Sequence, residues 1–339
     1  MIDSIILEDL RKIRGFLKKG DFEGKRVLVT GGAGFVGSWI CDVLVSSDAE
    51  VHCLDNFATG KTENVDHLLG KVGFKLVDED VCNFKTEVKY DYVLHLASRA
   101  SPEEYQQHPI KTLQANSLGS YNVLELARKS DAGILFASTS EVYGDAEVVP
   151  TPETYWGNVN PVGPRSCYDE GKRFGEALFM AYHWEYGLDV RIARIFNTFG
   201  PRLRAEGAYG RAVSRFIIQA LSNQPMTVYG DGSQSRSFCY VADTVLGLLL
   251  FCADEGASGE VLNIGNPKEI TILELAHKIK QMTGSASPVT FHPLPEDDPR
   301  RRCPDIGKAE RLLGWKPEVS LEQGLHRTIT WFQRNERLV

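Results

Sequence analysis

No stretch of this sequence is apolar for long enough to cross a bilayer, which takes roughly 18 to 20 residues with few charges. No CxxC pair occurs among the seven cysteines, at positions 41, 53, 82, 167, 239, 252 and 303, and their number is odd. Disulfide frameworks and thiolate metal sites show tighter spacing, so the expectation is reduced thiols in a cytoplasmic protein that binds no metal. Basic charge is in deficit: 38 Lys and Arg against 45 Asp and Glu give a formal charge of -7. That balance excludes a general nucleic-acid or anionic-membrane surface and leaves only local basic sites open. Repeats and low-complexity tracts are absent, and the first residues carry no apolar segment of a secretory signal. What is present is core material: 339 residues with 42% hydrophobic content suffice for one large or two modest cores.

Residues 1–24 read as a short helical extension. Ile5, Ile6, Leu10, Ile13 and Leu17 share a face, so the helix is expected to pack on the body of the protein or on a partner subunit. Apolar runs at 26–29, 51–54, 74–77, 92–96, 133–137 and 190–195 then alternate with helical patterns at 35–45, 109–129 and 168–186. Alternation of this kind predicts an α/β fold, a doubly wound parallel sheet over residues 25–199 with helices on both faces. From about residue 200 the pattern loosens. Short strands near 226–229, 261–264 and 288–291 mix with helices near 211–222, 241–253, 271–282 and 320–334. This predicts a smaller lobe over 200–339 with segments returning to the sheet.

Thr30-Gly31-Gly32-Ala33-Gly34-Phe35-Val36-Gly37 follows the first strand and opens the first helix. Glycines there let backbone N–H groups approach a pyrophosphate, and the helix N-terminus favours its charge. Asp55 ends the second strand, where an acid accepts hydrogen bonds from ribose hydroxyls and repels a 2′-phosphate. The cofactor expected is therefore NAD in a Rossmann domain. Asp80 and Val81, then Leu96, Ala97 and Ser98, end the third and fourth strands and border the same crevice. Asn56, Thr59, Gly60 and Asn116 complete the cofactor set. Tyr168 and Lys172 lie four apart on a predicted helix, so an ammonium faces a phenol and is expected to lower its pKa. Such a phenolate can take the proton of an alcohol undergoing oxidation, with Thr139 at a strand end holding the same hydroxyl. His95, ending a buried strand, reads as a hydrogen-bonded core residue.

Together these residues resemble the extended short-chain dehydrogenase/reductases that act on nucleotide sugars. Over about residues 25–335 the segments STSEVYG (138–144), GPRSCYDEGKR (163–173), ARIFNTFGPR (193–202), GRAVSRFIIQAL (210–221), TVYGDGSQSRSF (227–238) and DDPRRRCPDI (297–306) resemble, more narrowly, the UDP-glucuronate decarboxylase family. The resemblance implies oxidation of a UDP-sugar at C4 by NAD with Tyr168 as base, loss of CO2 from the resulting beta-keto acid, protonation at C5, and reduction to UDP-xylose. It implies that Ser140 and Glu141 act near C5 and the carboxylate. It implies that Asn197 lies near the diphosphate, that Arg211 and Arg236 bind the diphosphate or nucleotide, that Arg302 closes over the substrate, that Tyr229 flanks the uracil, and that Tyr105 reaches the sugar carboxylate. It also implies a homodimer built from the helices near 109–129 and 168–186 as a four-helix bundle. Arg99 departs from the family pattern, which has proline there. That keeps a UDP-sugar 4-epimerase open as an alternative, beside a binding protein without catalysis.

Overall fold

In the computed structural model, which describes residues 2–204 and 211–335, the apolar runs form β1 (Arg26–Thr30), β2 (Glu50–Asp55), β3 (Phe74–Asp78), β4 (Tyr92–His95), β5 (Gly133–Thr139) and β6 (Val190–Ile195). All six pair in parallel, and the strand Glu260–Ile264 joins as a seventh beside β6. The order runs from Glu260–Ile264 through β6, β5, β4, β1 and β2 to β3. The chain thus builds outward from β1 to β3, then crosses back to β4 on the other side. This reversal opens a crevice at the carboxyl ends of β1 and β4, where doubly wound sheets bind ligands. Strand β5 is buried at all seven positions, as a central strand covered on both faces must be.

The helices are α1 (Ser4–Phe16), α2 (Phe35–Ser46), α3 (Pro102–Gln107), α4 (Pro109–Gln114), α5 (Ser120–Ser130), α6 (Ser166–Tyr186), α7 (Ala212–Leu221), α8 (Val241–Ala253), α9 (Ile272–Thr283), α10 (Gly307–Leu313) and α11 (Leu321–Arg334). The helix expected at 109–129 is not continuous. A five-residue π turn, Ala115–Gly119, separates α4 from α5. Asn116 sits in it and donates from Nδ2 to the Thr112 carbonyl (3.0 Å) and to Ser98 Oγ (3.1 Å), which ties the turn to the end of β4. His95 is a core residue: its Nδ1 lies 2.8 Å from Thr30 Oγ1 and its Nε2 3.2 Å from Ser120 Oγ. Burial holds it neutral, at about 3.

Helix α1 is capped by Asp3, whose carboxylate accepts from the Ile5 N–H at 2.8 Å. It buries Ile5, Ile6, Leu10 and Ile13 against α2 and α8 of its own chain. Asp9 is buried with them. It accepts from Tyr240 Oη at 2.7 Å and pairs with Arg327 at 3.0 Å, joining α1 to the start of α8 and to α11. Asp9→Ala leaves a buried tyrosine hydroxyl and a guanidinium without their acid. Thermal and denaturant unfolding are expected to show a loss of about 3 kcal/mol.

Candidate active site

The crevice widens into a cavity of about 440 Å³. Its floor is the glycine loop. Gly31 has φ +69°, and a Cβ there would meet the Ala97 backbone nitrogen at 2.9 Å. A Cβ on Gly37 would meet the Gly31 carbonyl oxygen at 2.2 Å. Only glycine lets the turn fold this tightly against the first turn of α2. Gly34 caps α2 without a side chain, so the first N–H groups of the helix border the cavity uncapped. Asp55 accepts from the Ala33 N–H and the Phe57 N–H, both at 2.9 Å, and also lines the cavity. Burial raises its carboxyl against those hydrogen bonds. Asp80 accepts from Asn56 Nδ2 at 2.9 Å and from the Cys82 N–H at 2.8 Å. The cradle fits a dinucleotide: tight glycines, open helix amides and an acid at the end of β2.

Of the positions expected to hold a cofactor, Gly31, Gly34, Phe35, Val36, Asp55, Asn56, Thr59, Asp80, Val81, Leu96, Ala97 and Ser98 line the cavity, and Tyr168 and Lys172 do as well. Gly60 and Asn116 do not. Gly60 packs behind Asp55, whose carboxylate a Cβ would meet at 2.8 Å. Of the substrate positions, Asn197, Arg211, Tyr229, Arg236 and Arg302 line the cavity. Tyr105 lies behind the wall instead: 1% exposed, its ring stacks on that of Tyr168 with centroids 5.1 Å apart.

The end of β5, the turn after it and the start of α6 bring the candidate catalytic residues together. Thr139, Ser140, Glu141, Tyr168 and Lys172 share one stretch of cavity wall. Lys172 does not charge-pair with the phenol as expected. Its Nζ donates to the Ala137 carbonyl at 2.8 Å and lies 5.9 Å from the centroid of the Tyr168 ring. Burial lowers it to about 7, while the nearby Glu176 pulls the other way. Burial, then the charge of Glu141, push the Tyr168 phenol up, against the Thr139 hydroxyl. Glu176, one turn beyond Lys172, accepts from Arg194 Nε at 2.9 Å and from Ser138 Oγ, which fixes the end of β5.

Glu141 sits between two guanidiniums. Arg165 Nη2 donates to its Oε2, and Arg302 reaches both of its oxygens at 2.8 Å. Burial alone would raise Glu141, but Arg165 and then Arg302 outweigh it and hold the carboxyl at about 2. Asp169, one turn on from Arg165, is pushed up to about 8 by burial and by Glu141. Sequence reasoning missed Arg165 and Asp298. Arg165 lies three residues before Tyr168, a spacing that puts both at the start of one helix and was a usable signal. The run Arg300-Arg301-Arg302 divides: Arg300 pairs with Asp145, Arg301 with Glu269, and only Arg302 turns inward. Arg99 also lines the cavity and donates to Glu104 at 3.1 Å. Among the described residues no cluster of His, Cys, Asp or Glu has the arrangement of a metal site, and no helix is long and apolar enough to cross a membrane.

The sequence profile of the family described as GDP-mannose 4,6 dehydratase matches residues 28–328. UDP-glucuronic acid decarboxylase 1 of Danio rerio is 52% identical over 310 residues, which span 91% of this chain and 73% of that protein. Among solved structures, the epimerase Mth375 of Methanothermobacter thermautotrophicus superposes with a TM-score of 0.86 at 32% identity, covering 99% of this chain and 97% of that one. The dTDP-glucose 4,6-dehydratase DesIV of Streptomyces venezuelae, solved with NAD and TYD bound, superposes at 0.84 with 29% identity, covering 93% and 100%. A profile match over most of the chain and 52% identity over 91% of it place the chain among the extended short-chain dehydrogenase/reductases of the GDP-mannose 4,6 dehydratase type, and within them in the family of the UDP-glucuronate decarboxylases.

Proposed function

We propose that the chain decarboxylates UDP-glucuronate to UDP-xylose with NAD as its resident cofactor. The observation that carries this reading is Glu141, partly buried on the cavity wall with Tyr168 and Thr139 and held by the guanidiniums of Arg165 and Arg302. A site that only inverts C4 has no CO2 to expel and no use for a carboxylate there. The glycine loop, the N-terminus of α2 and Asp55 would hold the dinucleotide, and DesIV, similar in fold, was solved with NAD bound. When bound, NAD would supply the acceptor and later the donor of a hydride at C4, which would leave the C6 carboxylate for a time beta to a ketone.

The chain supplies the rest. Tyr168 Oη takes the C4 hydroxyl proton and gives it back at the end. The Thr139 hydroxyl holds the same oxygen. Glu141, held near 2, is not the proton donor at neutral pH. It acts as a fixed negative charge that keeps Arg165 and Arg302 occupied and denies the substrate carboxylate an ion pair. The ground state is thereby raised relative to a transition state whose charge moves toward C4 oxygen and the Tyr168 hydroxyl. Ser140 lies beside the path by which water protonates C5. Asn197, Arg211 and Arg236 take the diphosphate and Tyr229 the uracil, while Arg302, held by Glu141, closes over the substrate. Residues 25–199 form the cofactor domain and 200–339 mainly the UDP-sugar lobe. The seven free thiols suit a reducing, cytoplasmic setting.

The protein incubated with UDP-glucuronate and NAD is expected to release CO2 and form UDP-xylose, read by NMR. UDP-galacturonate without CO2 would instead mean an epimerase. We further propose a homodimer through α4, the π turn, α5 and α6, whose outer faces leave Ile110 70%, Leu118 52%, Tyr121 50% and Phe174 50% exposed. Light scattering is expected to give a dimer for the native chain and a monomer for Leu118→Asp; a native monomer would contradict it.

A further inference from the structure

Arg236 Nη2 lies 2.9 Å from Asp298 Oδ2, and the other oxygen of Asp298 lies 4.0 Å from Arg165 Nη1. All three residues line the cavity. Their side chains are only 5–11% exposed, so this is no screened surface pair. The guanidiniums stand on regular elements: Arg236 on the strand Ser235–Ser237 and Arg165 at the N-cap of α6. Asp298 comes from the irregular segment between the strands Val289–His292 and Arg301–Arg302. That segment is tied from outside, by Asn160 Nδ2 to Asp297 at 3.0 Å and by Arg300 to Asp145 at 3.0 Å. Both ties are exposed, and neither involves Asp298 itself.

The reading of the cavity as a UDP-sugar site, on which this inference rests, creates a conflict. A diphosphate on Arg236 would meet the Asp298 carboxylate across the same guanidinium. Two anions that close, largely shielded from water, repel strongly. One of them must leave, and Asp298 is the one on an irregular segment. We propose that Asp298 is a built-in surrogate for the diphosphate: it neutralises Arg236 in the free protein, is displaced by the diphosphate of an entering nucleotide, and so selects ligands by their negative charge. An uncharged nucleoside gains nothing by displacing it. A diphosphate recovers the lost ion pair with a bidentate contact of its own.

The test compares the native chain with Asp298→Asn, which keeps the shape and removes the charge. Calorimetry with UDP and with uridine is paired with thermal unfolding with and without UDP. The variant is expected to bind UDP roughly tenfold more tightly, uridine unchanged, because the Asp298–Arg236 pair no longer has to be broken. It is also expected to melt lower without ligand and to gain more from UDP than the native chain does. An acid that only organises Arg236 would give the opposite: weaker UDP binding and a smaller thermal gain. That result overturns the inference. A native chain that binds no UDP would overturn the UDP-sugar reading first, and the inference with it. A structure of the unaltered protein with UDP bound tests the same point without a variant. The Asp298–Arg236 pair should be open there, and an intact pair would overturn the displacement.

Discussion

Tyr168→Phe is expected to lower kcat on UDP-glucuronate at least about a thousandfold while leaving UDP affinity within about twofold. The phenol is 5% exposed on the first turn of α6, on the cavity wall with Thr139. Nothing else among the described residues offers a proton acceptor beside Thr139 with the same reach: Glu141 is locked between arginines, and Lys172 is turned to the Ala137 carbonyl. Because burial and Glu141 push the phenol up, the phenolate is scarce in the free protein at neutral pH. The sugar-oxidation step is therefore expected to quicken as pH rises, in native protein but not in the phenylalanine variant. Single-turnover absorbance of the reduced cofactor, measured across pH, checks both. A variant that kept a tenth of the native rate would remove Tyr168 from the chemistry.

Glu141→Gln is expected to slow CO2 release at least about a hundredfold, with the 4-keto sugar and reduced cofactor accumulating. The same change removes a negative charge that raises Tyr168. The pH limb of the oxidation step should move to lower pH even as decarboxylation is lost. A merely structural role would slow both steps together. Stability is also affected, since Arg165 and Arg302 would face each other without their acid, at a cost of about 3 kcal/mol. The sign of the pH dependence follows from the depressed carboxyl. Glu141 is held at about 2 against an ordinary 4.5, so its contribution is fully present above 4.5 and fades as pH falls toward 2. Native and variant unfolding curves should therefore converge over that window.

The sheet was legible because its strands are continuous apolar runs, and β5, buried at every position, is the plainest case. Edges were less so. Glu260–Ile264 reads locally as one more short strand of a loose lobe, and only its register against β6 makes it the seventh strand. The helix over 109–129 misled because apolar periodicity survives a π turn, whose cause is the tie from Asn116 to the end of β4. At the site, the glycine loop and Asp55 were legible because a tight turn before a helix leaves a local signature. The charge pairings were not. Glu141 meets Arg165 from 24 residues away and Arg302 from 161, and a carboxylate in a sequence carries no mark of the guanidinium it will meet. The i,i+4 spacing of Tyr168 and Lys172 correctly placed both on one helix face. It could not show that a strand carbonyl would claim the ammonium first.

The most direct test runs the reaction in D2O with UDP-glucuronate and NAD and maps deuterium in the product by NMR. The account predicts UDP-xylose with deuterium at C5, from solvent protonation after CO2 leaves, and none at C4, where the same hydrogen returns. Deuterium at C4, or a product that retains its carboxylate, would contradict it.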